Sequence, residues 1–319
     1  MYPLKGSADS EGDTVLRSLT VPLLIVIFCL LATIACNRSS LPVFDADRAW
    51  SHLMAQMSYG PRVPGSAARD SVSFYLTRTL VPYGAEISTQ QFEIKDPYSD
   101  RVILMKNVIA SFYPDREKRV LLAAHYDSRP WADRETDDSL RARPVPGAND
   151  GASGVAALLE IGRLLGERHP AGFGVDLVFF DGEDYGREHD LDYYLLGSNY
   201  FITARPDYRP VCGILLDMVA GVGTSITKEG FSRQHAPRLT DELFSRAQRL
   251  GLDFFQPVDG HEIYDDHVPF LRAGVEMVDL IGFDYAYWHT VRDLPENCSP
   301  DLLGQVGTLL VDFLYDFPY

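Results

Sequence analysis

Four stretches of the sequence are apolar almost from end to end: "RVLLAAHYD" (119–127), "VDLVFFD" (175–181), "GILLDMV" (213–219) and "VEMVDLI" (275–281). A strand with apolar residues on both faces must be covered on both, which is the condition of a largely parallel sheet flanked by helices. Two further strands are expected at "EISTQQFEI" (86–94) and "RVILMKNVIASF" (101–112), and helices over 47–58, 67–82, 151–166, 238–250, 266–273 and 300–316. Strands alternating with helices in this way predict the α/β class. The chain of 319 residues, 46% of them apolar, is long enough to bury such a core.

The first residues stand apart from this pattern. "LTVPLLIVIFCLLATIA" (19–35) is an apolar run with Lys5 and Arg17 before it and Cys36 directly after. Residues 1–36 therefore read as a signal peptide ending at a lipoprotein cysteine, or as an uncleaved membrane anchor, and 37–44 as a linker. Either reading exports the remainder and tethers it to a membrane, in the bacterial periplasm or at the cell surface. Of the remaining cysteines, Cys212 and Cys298 could form one disulfide or stay as buried thiols. The net charge is −16, with 29 Lys+Arg against 45 Asp+Glu and no basic block. A nucleic-acid partner is excluded on that ground.

Ligands of open α/β sheets sit outside the carboxyl ends of the strands, and the residues at those ends are unusual. Strand 119–124 ends in His125 and Asp127, and the loop behind it delivers Asp150 in "GANDGASG". Strand 175–180 runs into Asp181, Glu183 and Asp184, strand 213–216 into Asp217, and "YWHT" after the last strand supplies His289. Like charges so close together raise one another's pKa unless something positive is shared between them. Carboxylates and imidazoles are ligands that zinc accepts, so a divalent cation answers the crowding. Plainer readings exist for single members: Asp150 as a helix N-cap, Glu183-Asp184 as a solvated turn, each histidine as structural. Asp217, inside a buried strand, still needs a partner. Five such coincidences at strand ends are less economical than one site. The Pro- and Arg-rich segment 128–149 is expected to cover it, and "YGPRVPGS" (59–66) to form a turn after the first helix or a rim of the site.

"AHYDSRP", "GANDGASG", "FFDGEDYG", "GILLDMV", "DDHVPFL" and "WHT", in that order, resemble the zinc aminopeptidase superfamily, and within it the glutaminyl-peptide cyclotransferase (glutaminyl cyclase) branch. The resemblance covers residue 45 to the end. It implies a single catalytic domain, a three-layer α/β/α sandwich with a central mixed, mostly parallel sheet. It also implies one zinc ion on Asp150, Asp184 and His289, Glu183 as general acid/base, and Asp217 and Asp265 as acidic residues near the proton-transfer group and the substrate amine. Trp288 matches the aromatic wall and His267 an orienting group on the substrate side. Animal members carry a tryptophan shortly after the acidic pair. Here 185–195 has none, and Tyr185 or Tyr193 would stand in.

The reaction so implied is cyclisation of the N-terminal glutamine of peptides or proteins to pyroglutamate, with release of ammonia. The alternative is a two-zinc aminopeptidase. His125 and Asp217 would then be ligands of a second metal bridged by Asp150, and Glu183 would activate water against the first peptide bond.

Overall fold

The computed structural model describes residues 1–3 and 41–316. The chain divides into the units Met1–Leu41 and Pro42–Tyr319, and every helix and strand named below belongs to the second. The expected signal or anchor, with Cys36, lies outside the described residues. Among the described residues no helix is long and apolar enough to cross a membrane.

In chain order the elements are α1 (Ala46–Met57), α2 (Ala67–Leu80), β1 (Glu86–Lys95), β2 (Val102–Phe112), β3 (Arg119–His125), α3 (Asp138–Arg141), α4 (Ala152–Glu167), β4 (Gly174–Phe180), α5 (Leu196–Ala204), β5 (Cys212–Asp217), β6 (Ile226–Lys228), α6 (Gly230–His235), α7 (Pro237–Leu250), β7 (Phe255–Asp259), α8 (His267–Arg272), β8 (Met277–Ile281) and α9 (Pro300–Tyr315). The helix starts follow capping chemistry. Asp45, Ser66 and Ser299 accept from backbone N–H groups of the first turns of α1, α2 and α9.

One six-stranded sheet has the order β1-β2-β4-β3-β5-β8. β4, β3, β5 and β8 run parallel, with Leu122 between Leu177 and Ile214 in register. β1 and β2 are antiparallel additions at one edge. The period-two alternation of a strand sorts its side chains between two cores. Val120, Leu122 and Ala124 face the core shared with α1, α4 and α9, whereas Leu121 and Ala123 face Phe201 of α5 and Phe270 of α8. The expected three-layer sandwich with a mixed, mostly parallel sheet is the observed one.

From β3 the chain moves through α4 to β4 on one side, and from β4 through α5 to β5 on the other. β3 is thus the point at which the strand order reverses, where open sheets leave a crevice. β3 ends two residues before the expected limit, at His125. The small parallel pair β6–β7 and the helices α3, α5 and α6 were not anticipated: each is short, and α5 begins after Leu195, which has a positive φ of 55°. Cys212 and Cys298 are both free and buried.

Candidate active site

The crevice at the β3–β4–β5 ends collects the residues that the sequence singled out. Of the three acids after β4, Asp181 turns away from it: its Oδ2 accepts from the Lys106 backbone N–H at 2.7 Å and stands 3.4 Å from Arg69. Burial pushes its carboxyl up to about 7 in spite of that arginine. Gly182 then takes φ 76°, a left-handed turn suited to glycine. Asp127, just past β3, holds the turn from below, its two oxygens accepting from the N–H groups of Glu183 (3.2 Å) and Asp184 (3.4 Å).

Asp150, Asp184 and His289 come together, with one donor atom from each within 4.8 Å of the others. His289 Nε2 lies 3.3 Å from Asp184 Oδ2 and 3.8 Å from Asp150 Oδ2. Asp184 Oδ2 is buried and has no hydrogen-bond partner among the described residues, a cost that a cation would remove. Two carboxylates and an imidazole around that oxygen fit zinc. Asp150 is not the helix cap: the N-cap position of α4 is Gly151, at φ 94°. His289 itself adopts φ 56°, a strained conformation of the kind that clusters at functional sites.

Three further residues complete this shell: Asp127, which the sequence already placed at the end of strand 119–124, and Arg129 and Asp133, which had no individual signal there. Arg129, fully buried, donates to Asp184 Oδ1 and to Asp133. Asp133 Oδ1 faces His289 Nδ1 at 3.4 Å, which leaves Nε2 for the centre. Burial lowers the pKa of His289, but the charge of Asp184 and the bond to Asp133 outweigh it and the net shift is upward. A periodicity argument reaches neither Arg129 nor Asp133. For Arg129 and Asp133 the only signal was that 128–149 was expected to cover a site, which it does.

A second group, His125, Asp150 and Asp217, also converges. Its imidazole Nε2 stands 3.1 Å from Asp150 and 3.0 Å from Asp217. Burial disfavours a charged His125, yet the bonds to Asp127, Asp150 and Asp217 hold its pKa well above the ordinary range.

Glu183 is 9% exposed and lines an inner cavity with Asp217, Asp265, Tyr194 and Trp288. Burial first, then the charges of Asp184 and Asp265, raise its carboxyl well above the usual range, against the pull of His125. Asp265 is raised in the same sense by burial and by Asp217. The inner cavity measures about 70 Å³ and adjoins an outer one of about 230 Å³. Trp288 packs at 3.9 Å between ring centroids on His289, and the Arg134 guanidinium lies over the Trp288 ring at 5.0 Å.

Two expectations need correction. The aromatic that segment 185–195 gives to the cavity is Tyr194; Tyr185 and Tyr193 instead pack with Tyr98 in a separate cluster beside Met105. His267 does not reach the substrate side. It is 0% exposed and its Nε2 bonds Glu229 Oε2 at 3.0 Å, because α8 begins there with its first residue turned into the protein.

The mostly parallel sheet reversing at β3, with carboxylates and imidazoles at its carboxyl edge, is shared with zinc-dependent exopeptidase-like folds. Residues 107–314 match the model of peptidase family M28. The chain belongs to that family, in its glutaminyl cyclase branch. It is 27% identical over 304 residues to a glutaminyl-peptide cyclotransferase-like protein of Mus musculus, covering 86% of this chain and 76% of that one. Bacteroides thetaiotaomicron glutaminyl cyclase bound to N-acetylhistamine superposes with a TM-score of 0.84 at 34% identity, over 88% of this chain and 100% of that one. A leucine aminopeptidase precursor of the same organism superposes with a TM-score of 0.84 at 35% identity, over 88% and 99%.

Proposed function

We propose that this protein cyclises the N-terminal glutamine of peptides and proteins to pyroglutamate, using one zinc ion held by Asp150, Asp184 and His289. The observation that carries this reading is the inner cavity of about 70 Å³ that ends on Glu183 and the ligand cluster. That is several times the roughly 10–15 Å³ needed to hold one water. That suits one glutamine side chain, with the remainder of the peptide in the outer cavity.

Zinc, when bound, supplies a Lewis acid toward the side-chain amide carbonyl. The chain's own residues do the rest. Trp288 and Tyr194 wall the side chain and hold it folded back toward its own α-amine, so attack is intramolecular. Asp265 and Asp217 accept from that amine. Glu183 takes a proton from it as the new C–N bond forms, and returns a proton to the amide nitrogen as that C–N bond breaks and ammonia leaves. The raised carboxyl of Glu183 matches a group that must both take and give a proton near neutral pH.

The second reading, a two-zinc aminopeptidase, is favoured by the His125–Asp150–Asp217 group. Mass spectrometry of a Gln-initiated peptide incubated with the purified protein distinguishes the two. A product lighter by one ammonia supports cyclisation; free amino acids released from Gln- and Leu-initiated peptides alike would replace it with the peptidase reading. We further propose export and membrane tethering, through a lipid on Cys36 or an uncleaved anchor at 19–35, with the reaction taking place outside the cytoplasm.

A further inference from the structure

The "YGPRVPGS" segment after α1 contains a fully buried arginine. Arg62 is 0% exposed, and among the described residues no carboxylate hydrogen-bonds it. It is addressed to main-chain carbonyls instead: Nε donates to Tyr126 O (3.0 Å), Nη1 to Pro146 O (2.8 Å), and Nη2 to Gly147 O (2.5 Å) and Asp150 O (3.5 Å). Its own backbone is fixed, the N–H donating to Ser128 Oγ and the carbonyl accepting from Ser128 N. The arginine therefore grips the carbonyl side of the loop 146–150, the loop that ends on Asp150.

Asp293 grips the amide side. It is 0% exposed; Oδ1 accepts from Asn149 N at 2.8 Å and from the Tyr285 hydroxyl at 3.1 Å, and Oδ2 accepts from Asp150 N at 3.1 Å. Its own carbonyl accepts from Ala148 N. The loop is shaped to this grip: Gly147 has φ 74°, and a Cβ there would lie 2.5 Å from Arg62 Nη2. Neither Arg62 nor Asp293 lines the inner or the outer cavity. Burying a guanidinium and a carboxylate costs free energy that an apolar filling of similar volume would avoid, so a reason other than stability is needed for them.

We propose that Arg62 and Asp293 are positioning residues that clamp the backbone of Gly147–Asp150 from opposite sides. In this way they fix where the Asp150 carboxylate stands and set the affinity of the centre for its metal. The inference rests on the metal centre of the proposed function, but not on which reaction that centre performs. Groups that orient metal ligands without touching the metal typically change affinity 10–100-fold.

The test is the zinc dissociation constant, measured by chelator competition on the full-length protein, alongside thermal unfolding of the metal-free forms. Asp293→Asn keeps the shape but offers one acceptor oxygen where two N–H groups must be met. Arg62→Met removes every side-chain donor, and Arg62→Lys restores a single donor nitrogen in place of three. Zinc binding is expected to weaken roughly 10–100-fold in Asp293→Asn and Arg62→Met, with Arg62→Lys between Met and wild type. Leu243→Ala, a core truncation on α7, should lower the melting temperature and leave zinc affinity unchanged. If folded Asp293→Asn and Arg62→Lys bind zinc like wild type, or if Leu243→Ala weakens zinc as much as they do, the clamp is refuted even if Arg62→Met fails to fold. A wild-type protein with no zinc affinity would instead take down the metal-centre reading, and this inference with it.

Discussion

Glu183→Gln separates proton transfer from everything else that Glu183 does. The two side chains have the same shape, and the backbone N–H of residue 183 still donates to Asp127. Asp184 keeps Arg129 and His289, so the ligand cluster is untouched. What disappears is a group that can take up and release a proton. Loss of a positioned acid/base lowers turnover by roughly 10²–10⁴, about 2.7–5.4 kcal/mol of barrier. The stability effect has the opposite sign. The folded-state pKa of Glu183 lies well above its unfolded value, so its ionisation weakens the fold as pH rises from the ordinary glutamate range toward that raised value. The strongest opposing attraction is to His125, whose Nδ1 is 4.0 Å from Oε2, about 4 kcal/mol at an effective dielectric near 20. Burial and the neighbouring acids outweigh it, since the net shift is upward. The neutral glutamine removes that penalty, so metal-free Glu183→Gln should melt at or above the wild-type temperature near pH 7. Ammonia release, zinc content and thermal unfolding measured on one preparation decide the matter. Retained turnover would remove Glu183 from proton transfer, and a lowered melting temperature would show that its role is structural.

His289→Ala should lose both zinc and activity, and a normal zinc content would overturn the ligand assignment. Asp133→Asn removes the carboxylate facing His289 Nδ1. Zinc affinity measured by chelator competition should fall about 10–100-fold, and unchanged affinity would deny Asp133 that role. Glu229 is held down to about 2, its bond to and the charge of His267 overcoming burial. Its contribution is fully present above the ordinary glutamate pKa and is lost as pH falls toward 2. Glu229→Gln should therefore flatten the acid limb of the stability curve over that window, and an unchanged limb in urea titrations would refute it.

The legible part of the molecule was the part dictated by burial. β3, β4, β5 and β8 appear within two residues of the expected limits because a strand covered on both faces has few alternatives to a continuous apolar run. The acids and histidines at their ends were visible because such residues are out of place beside that run. The supporting shell was not visible. Arg129, Asp133, Arg62 and Asp293 lie in irregular segments, where charged residues are ordinary and only the tertiary fold shows that they are drawn in around the centre. His267 was misplaced for a related reason. Its neighbours Asp265 and Asp266 are both buried in the same turn, but only Asp265 lines the inner cavity, and spacing alone does not say which side chain of a turn faces a site.

The same point explains how adjacent acids can hold opposite tasks. Glu183 and Asp184 share a turn and a pair of N–H bonds to Asp127, and both are buried, so none of these distinguishes them. The difference is Arg129, with His289 3.3 Å from the other oxygen of Asp184. Its guanidinium reaches Asp184 from the covering segment and leaves Glu183 with no cation other than His125 at 4.0 Å among the described residues. One carboxylate thereby has its charge compensated, as suits a ligand, while the other is left among Asp184 and Asp265 with its charge disfavoured, as suits an acid/base. On the proposed assignment, the division of labour in "GEDYG" is thus written in the neighbouring segment, not in the motif itself.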